Sequence, residues 1–256
     1  MGKELVTKAA SIAPAIAVPA GSLDLMPGEY RTTYIKLLQA GSDEVKEGTH
    51  SPGSYVVSGT GEVLGDKQHP LDAVVLGITQ AWVISEVHHE NGKKKSKWVR
   101  NEPVTPENER RRWNEVINGQ EFSYDRTYWL YLLPLVGGSD DDFAVVEPVC
   151  LRCGSTKSRS AMDIKKRLAA LQMQKGLSPI DVVWRFGTKK EESKDGCTWL
   201  GIVAQPIRKT SEGEKADAGQ WLGFISALIA SGAHAEGEVV EKEVEAVVDL
   251  DDDLTI

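Results

Sequence analysis

Hydrophobic and polar positions alternate most cleanly at Ile180, Val182, Trp184 and Phe186, the period of a strand with one buried face. Thr198 to Ile207 reads as the next strand, and Phe122 to Val136 as a long one. Ala73 to His88 is β-branched and aromatic and gives one or two strands. Ser54–Ser58 and Gly61–Leu64 read as short strands joined at Gly59-Thr60, and Phe143–Val149 as another. Tyr30 to Gln39 fits a strand or a short helix. Asn91-Gly92 is a two-residue hairpin signal, with Lys93–Arg100 as the returning strand.

Three segments carry a helical pattern. Ala161–Lys175 follows Ser160, stops at Gly176 and places Ile164, Leu168 and Leu171 on one face. Glu214–Ser231 ends at Gly232. Thr105-Pro106-Glu107 has the form of a helix start, with Thr as N-cap and Pro at the first position, so a helix is predicted from there to about Ile117, stopped by Asn118-Gly119. Trp184, Phe186, Trp221 and Phe224 are assigned to the core. Strands do not alternate with helices as in a doubly wound sheet. The predicted class is α+β: a mostly antiparallel curved sheet or OB-like barrel with about three helices, over residues 26–235. Residues 1–25 read as a flexible arm, because Pro14 and Pro19 break the apolar run that a secretory signal would need. Residues 236–256 read as an acidic, disordered tail.

Charge changes the picture once it is located. Residues 236–256 hold nine acidic side chains against Lys242 alone, so the net −8 of the chain resides there and the rest balances, 29 basic against 29 acidic. Within the body, Lys93, Lys94, Lys95, Lys97 and Arg100 form one basic block. Arg152, Lys157, Arg159, Lys165, Lys166 and Arg167 form another. This asymmetry is expected of a tail that competes with a polyanion for one surface. No stretch approaches ~18 consecutive apolar residues, so no membrane-spanning helix is expected.

Catalytic signatures are few. Gly154-Ser155-Thr156-Lys157-Ser158 lacks the spacing of a Walker A loop, and no Gly-x-Ser-x-Gly or His-Glu-x-x-His occurs. His88-His89 on a strand would point to opposite faces. Asp140–Asp142 reads as a solvated loop. Cys150 and Cys153 have the spacing of half a zinc site and are weak candidates, since no second half is evident. Three cysteines fit a reducing compartment. No cofactor and no enzymatic activity are expected.

Single-stranded nucleic acid requires cations for its phosphates and flat rings for its bases. Trp98 lies between Lys97 and Arg100, and strand alternation puts Tyr124, Arg126 and Tyr128 on one face with Phe122. The predicted interface is therefore Lys93, Lys94, Lys95, Lys97, Trp98, Arg100, Tyr124, Arg126 and Tyr128 together with Arg152, Lys157, Arg159, Lys165 and Lys166.

The end of the chain, Val247 to Ile256, resembles the acidic tips of single-stranded-DNA-binding proteins, which dock onto replication partners. The matching positions are Asp249, Asp251, Asp252, Asp253, Leu254 and Ile256, with Thr255-Ile256 where the usual bacterial ending has Pro and Phe. Tyr34–Gln39, Glu44–Gly48 and Pro52–Tyr55 are similar in style to bacteriophage single-strand-binding and transcription-cofactor proteins. The resemblance implies binding of single-stranded DNA with little sequence preference, in the cytoplasm of an infected bacterium. It implies replication or transcription partners recruited by the tail, and it is compatible with self-association. A cofactor of a phage RNA polymerase and a non-catalytic virion or interaction protein are the alternatives.

Overall fold

Val74, Val75, Leu130, Leu132, Leu151 and Val183 stand on neighbouring strands and are all buried, and this apolar centre organises a large mixed sheet. The computed structural model describes residues 32–90, 93–135, 147–154, 157–193 and 196–231. The expected arm and acidic tail, the loop around Asp140–Asp142 and the turn Asn91-Gly92 lie outside the described residues. The elements are β1 (Thr33–Leu37), α1 (Asp43–Lys46), β2 (Tyr55–Val57), β3 (Val63–Gly65), β4 (Leu71–Glu90), β5 (Lys93–Pro103), β6 (Asn114–Ile117), β7 (Gln120–Pro134), β8 (Val149–Cys153), α2 (Ser158–Lys175), β9 (Val182–Glu192), β10 (Thr198–Lys209) and α3 (Glu212–Ser231).

The main path of the sheet runs β10-β9-β4-β7-β8-β1-β2-β3, with β5 added to β4 and β6 added to β7. All pairs are antiparallel except β1 with β8. The class is therefore α+β with an open sheet of ten strands and three α-helices among the described residues. The outer strands β3 and β10 do not pair, so the sheet is not a closed barrel.

Alternation divides the apolar residues between the two faces. Ile35, Tyr55, Ala73, Leu130, Leu151, Trp184 and Ile202 share one face with Ala161 and Ile164 of α2. Val74, Tyr131, Cys150 and Val183 share the other with Ala218, Ile225 and Leu228 of α3. α2 shows the expected face, with Ile164 buried and Leu168 and Leu171 packed beside it, and it ends at Gly176 in the left-handed conformation. Trp221 and Phe224 are partly buried against the α3 side, ring edge to ring face at 6.1 Å.

β4 and β7 are much longer than an ordinary strand. β4 pairs with β9 through Leu71–Val74 and with β5 through Ala81–Glu90, while β7 runs beside it from Ala73 to Val87. Beyond the body, β6, β7, β4 and β5 therefore form a four-stranded extension, the β-arm. Its small core is Trp82, Ile84 and Tyr124, flanked by Val104 and Phe122.

Two expectations fail here. Residues 105–117 are not a helix. They form turns through Arg110 and then β6, which pairs with β7 from Asn114 to Ile117. Asn118 and Gly119 both have positive φ, 52° and 83°, the geometry of a tight hairpin turn, so the pair taken as a helix stop joins two strands. The strand expected to end at Val149 also fails at that limit, because Val149–Cys153 is a strand buried at every position but Arg152.

Candidate nucleic-acid interface

One face of the β-arm is sealed by its own loop. Trp82 donates its indole N–H to Asn108 Oδ1 at 3.2 Å, and Asn108 donates to the Pro103 carbonyl at 2.9 Å. This lays residues 104–113 across the strands. The Arg111 guanidinium then sits 4.7 Å from the centre of the Tyr124 ring and pairs with Glu102. Tyr124 donates its hydroxyl to Glu115 at 3.3 Å, and its burial beside that carboxylate holds the phenol above its usual range.

The predicted stacking platform is therefore overturned. Tyr124 is 4% exposed and Tyr128 3%, the latter inside the α2 side of the core. Neither ring offers a face to a base. Arg126 does lie on their face, but its partners are internal. It donates to Gln80 at 2.9 Å, lies 3.9 Å from Glu109 and stands 5.9 Å over the Tyr128 ring. An arginine between two tyrosines marks a surface only if nothing internal can engage it; Gln80 and Glu109 engage one terminal nitrogen, while Nε is buried without a partner.

The outer strand β5 keeps its predicted character. Its register places Lys95, Lys97 and Arg100 opposite His88, Glu86 and Ile84 on one face, and Lys94 opposite His89 on the other, and the backbone ladder ends with Lys93 opposite Glu90. Successive same-face positions are about 6.6 Å apart, near the step of an extended nucleic-acid backbone. Lys94 bonds Glu121 at 3.0 Å, Lys95 bonds Glu90 at 3.1 Å, and Arg100 lies 3.8 Å from Glu102. Lys94 and His89 together hold the Glu121 carboxyl below its ordinary range. Exposed pairs of this kind contribute little and yield readily to a polyanion. Trp98 is 40% exposed, with its N–H tied to Asn101 at 3.2 Å.

The opposite flank of the arm holds a site that the sequence reading missed. Trp113 is 67% exposed and follows Arg110 and Arg112, both exposed. The run Arg110-Arg111-Arg112-Trp113 was the available signal, concealed by its assignment to a helix.

The second basic block is not gathered beside the first. Arg152 projects from β8 on the α3 side, opposite Trp129. α2 packs on the other face and carries Arg159, Lys165 and Lys166, all exposed. Lys157, at the start of α2, donates to the Leu37 carbonyl at 3.4 Å. These residues belong to the body, divided between two faces, while Lys94–Arg100 belongs to the arm.

The zinc candidates are also overturned. Cys150 and Cys153 are an odd number of residues apart on β8, so Cys150 points to the α3 side and Cys153 to the α2 side. Burial raises both thiols, Cys153 to about 12, and a protonated thiol is a poor ligand. Among the described residues, no group of three or more His, Cys, Asp or Glu is placed to hold a metal ion. His88 and His89 face opposite sides of β4 as expected, toward Glu86 and Glu121. Among the same residues, no helix is long and apolar enough to cross a membrane.

No model of a known family, no curated protein and no solved structure matches this chain.

Proposed function

We propose that the chain binds single-stranded DNA along its β-arm, with little sequence preference and no catalytic step. The observation that supports this reading most is the pair of exposed tryptophans on the two flanks of the arm, each beside cations. Trp98 projects from β5 on the face that carries Lys94, with Lys97 next to it in the chain, and Trp113 follows Arg110 and Arg112. A large exposed indole costs solubility unless something covers it, and a base is a flat partner that tolerates any sequence. The cations supply the sequence-independent attraction. The acidity of residues 236–256 fits a role in recruiting replication or recombination partners in an infected bacterial cell.

Titration of the intrinsic tryptophan fluorescence with oligo-dT at two salt concentrations tests the reading. Quenching is expected, with a slope of log affinity against log salt near −2, since about three phosphate contacts contribute about −0.7 each on single strands. Lys95→Glu with Lys97→Glu should weaken binding and flatten that slope. No quenching and no gel shift at low salt would overturn the proposal in favour of a protein-docking role.

A further inference from the structure

The sheet comes near to closing at one seam. Gln39, just past β1, accepts from the Leu200 N–H at 2.8 Å and donates to the Leu200 carbonyl at 3.1 Å, so its amide occupies the edge of β10 as a neighbouring strand would. Further along the same edge, Arg167 of α2 donates to the Ala204 carbonyl at 3.2 Å. Between the two clamps, antiparallel alternation turns the N–H and C=O of Ile202 to the same side. A cavity of about 780 Å³ opens here between α2 and the β9–β10 hairpin. That size lies within the range of small-molecule clefts, ~300–1,000 Å³.

The lining has three properties. Ile164, Ile202 and Ala204 give an apolar wall on the α2 face, and the half-buried Trp199 projects from the opposite face of β10, so the cavity wraps around the edge of that strand. Arg159, Arg167 and Lys189 are matched by Asp163, Glu191 and Glu192, so charge balances. Glu191 is built in: it accepts from the Trp199 indole at 2.9 Å, pairs with Lys189 at 2.9 Å and lies over Gly201, where an added Cβ would stand 2.6 Å from its carboxyl carbon. Lys189 and the indole keep that carboxyl ionised below its usual range.

A bare phosphate gains little from a balanced lining with an ionised carboxylate at its centre. A neutral flat heterocycle with donors and acceptors on its edge fits each part: the indole, the carboxylates, the guanidinium groups and the Ile202 main chain. Carboxylates accept from exocyclic amines, whereas thymine has none and offers them only its ring N3–H, flanked by two repelling carbonyl oxygens. We propose that this seam is a pocket for one unstacked nucleobase bearing an exocyclic amine, with cytosine accepted and thymine refused. The proposal rests on the single-strand reading and adds a base preference to it.

The test uses the full chain. In a spectrum of the indole N–H groups, with the Trp199 signal assigned from Trp199→Phe, deoxycytidine should shift that signal and thymidine should not. Oligo-dC should bind at least tenfold tighter than oligo-dT. Glu191→Gln should bring that ratio toward one, as should Gly201→Ala, which displaces the carboxylate without removing it. Lys95→Glu with Lys97→Glu should weaken both oligonucleotides and keep the ratio. Equal affinity for the two oligonucleotides, a ratio unchanged in both pocket variants, or no shift with deoxycytidine would overturn the pocket while leaving the arm reading in place. A deoxycytidine shift without binding of either oligonucleotide would sink the arm reading and keep the pocket.

Discussion

Exposure separates two kinds of aromatic residue in this protein. Trp98, tied through its N–H to Asn101, and Trp113 are exposed, while Tyr124 and Tyr128 are enclosed. Trp98→Ala and Trp113→Ala should each weaken oligonucleotide binding about five- to a hundredfold, the span of one lost stacking contact. Their thermal midpoints should stay close to that of the parent, a comparison that differential scanning calorimetry makes directly. Glu214 offers a second residue-level test. Its carboxyl bonds Arg208 through both oxygens, at 2.6 and 2.7 Å, and accepts from the Ser211 N–H at 2.7 Å, while Ser211 Oγ accepts from the Glu214 N–H at 3.3 Å. These bonds, led by the one to Arg208, hold the carboxyl at about 2 against an ordinary 4.5. A lowered carboxylate stabilises the fold above its unfolded value and loses that contribution as pH falls toward the folded one. Glu214→Gln should therefore cost about 1 kcal/mol at pH 7. In urea titrations, the gap from the parent should narrow between about pH 4.5 and 2.

At the scale of elements, the sequence was most legible where one period ran long. β7, β10, α2 and α3 stand within a few residues of their predicted limits, β9 runs on past Phe186 to Glu192, and the β4–β5 hairpin has the register a two-residue turn requires. Local signals failed where tertiary pairing competed with them. Thr105-Pro106-Glu107 is a good helix start, yet β6 gains a ladder with β7, and Asn118-Gly119 suits a hairpin turn better than a helix end. The strand was ended at Val149 because Arg152 and the residues after it are polar, but the alternate positions of Cys150–Cys153 fill two cores at once. The helix assignment over 105–117 also concealed Trp113. Gly119→Ala puts a Cβ on a backbone at φ 83° and should destabilise the arm by about 1–2 kcal/mol. Faster amide exchange confined to β6 and the start of β7 is the expected signature, with the body unchanged.

On the scale of the whole molecule, an open sheet is held near closure by side chains rather than by a ladder. Besides Gln39, Tyr55 reaches across the seam and donates its hydroxyl to the Gly187 carbonyl at 2.9 Å. Gln39→Leu removes both bonds to Leu200 and leaves a half-buried edge without its partner, at a cost of about 1–3 kcal/mol. Hydrogen exchange at the Leu200 amide should rise more than at neighbouring amides of β10. This closure could not be read from the sequence, because a glutamine between Leu38 and Ala40 carries no sign of a partner 161 residues away. Nor could the separation of the two basic blocks, which follows from the sheet order and not from either block.

β4 and β7 pass without interruption from the body into the arm, paired from Ala73–Pro134 at one end to Val87–Glu121 at the other. A pull on the arm along its length thus loads many of their cross-strand hydrogen bonds in parallel, as shear, instead of opening them one at a time like a zipper. A filament held under tension by moving machinery would find in this extension a stiff tether, anchored in the centre of the protein.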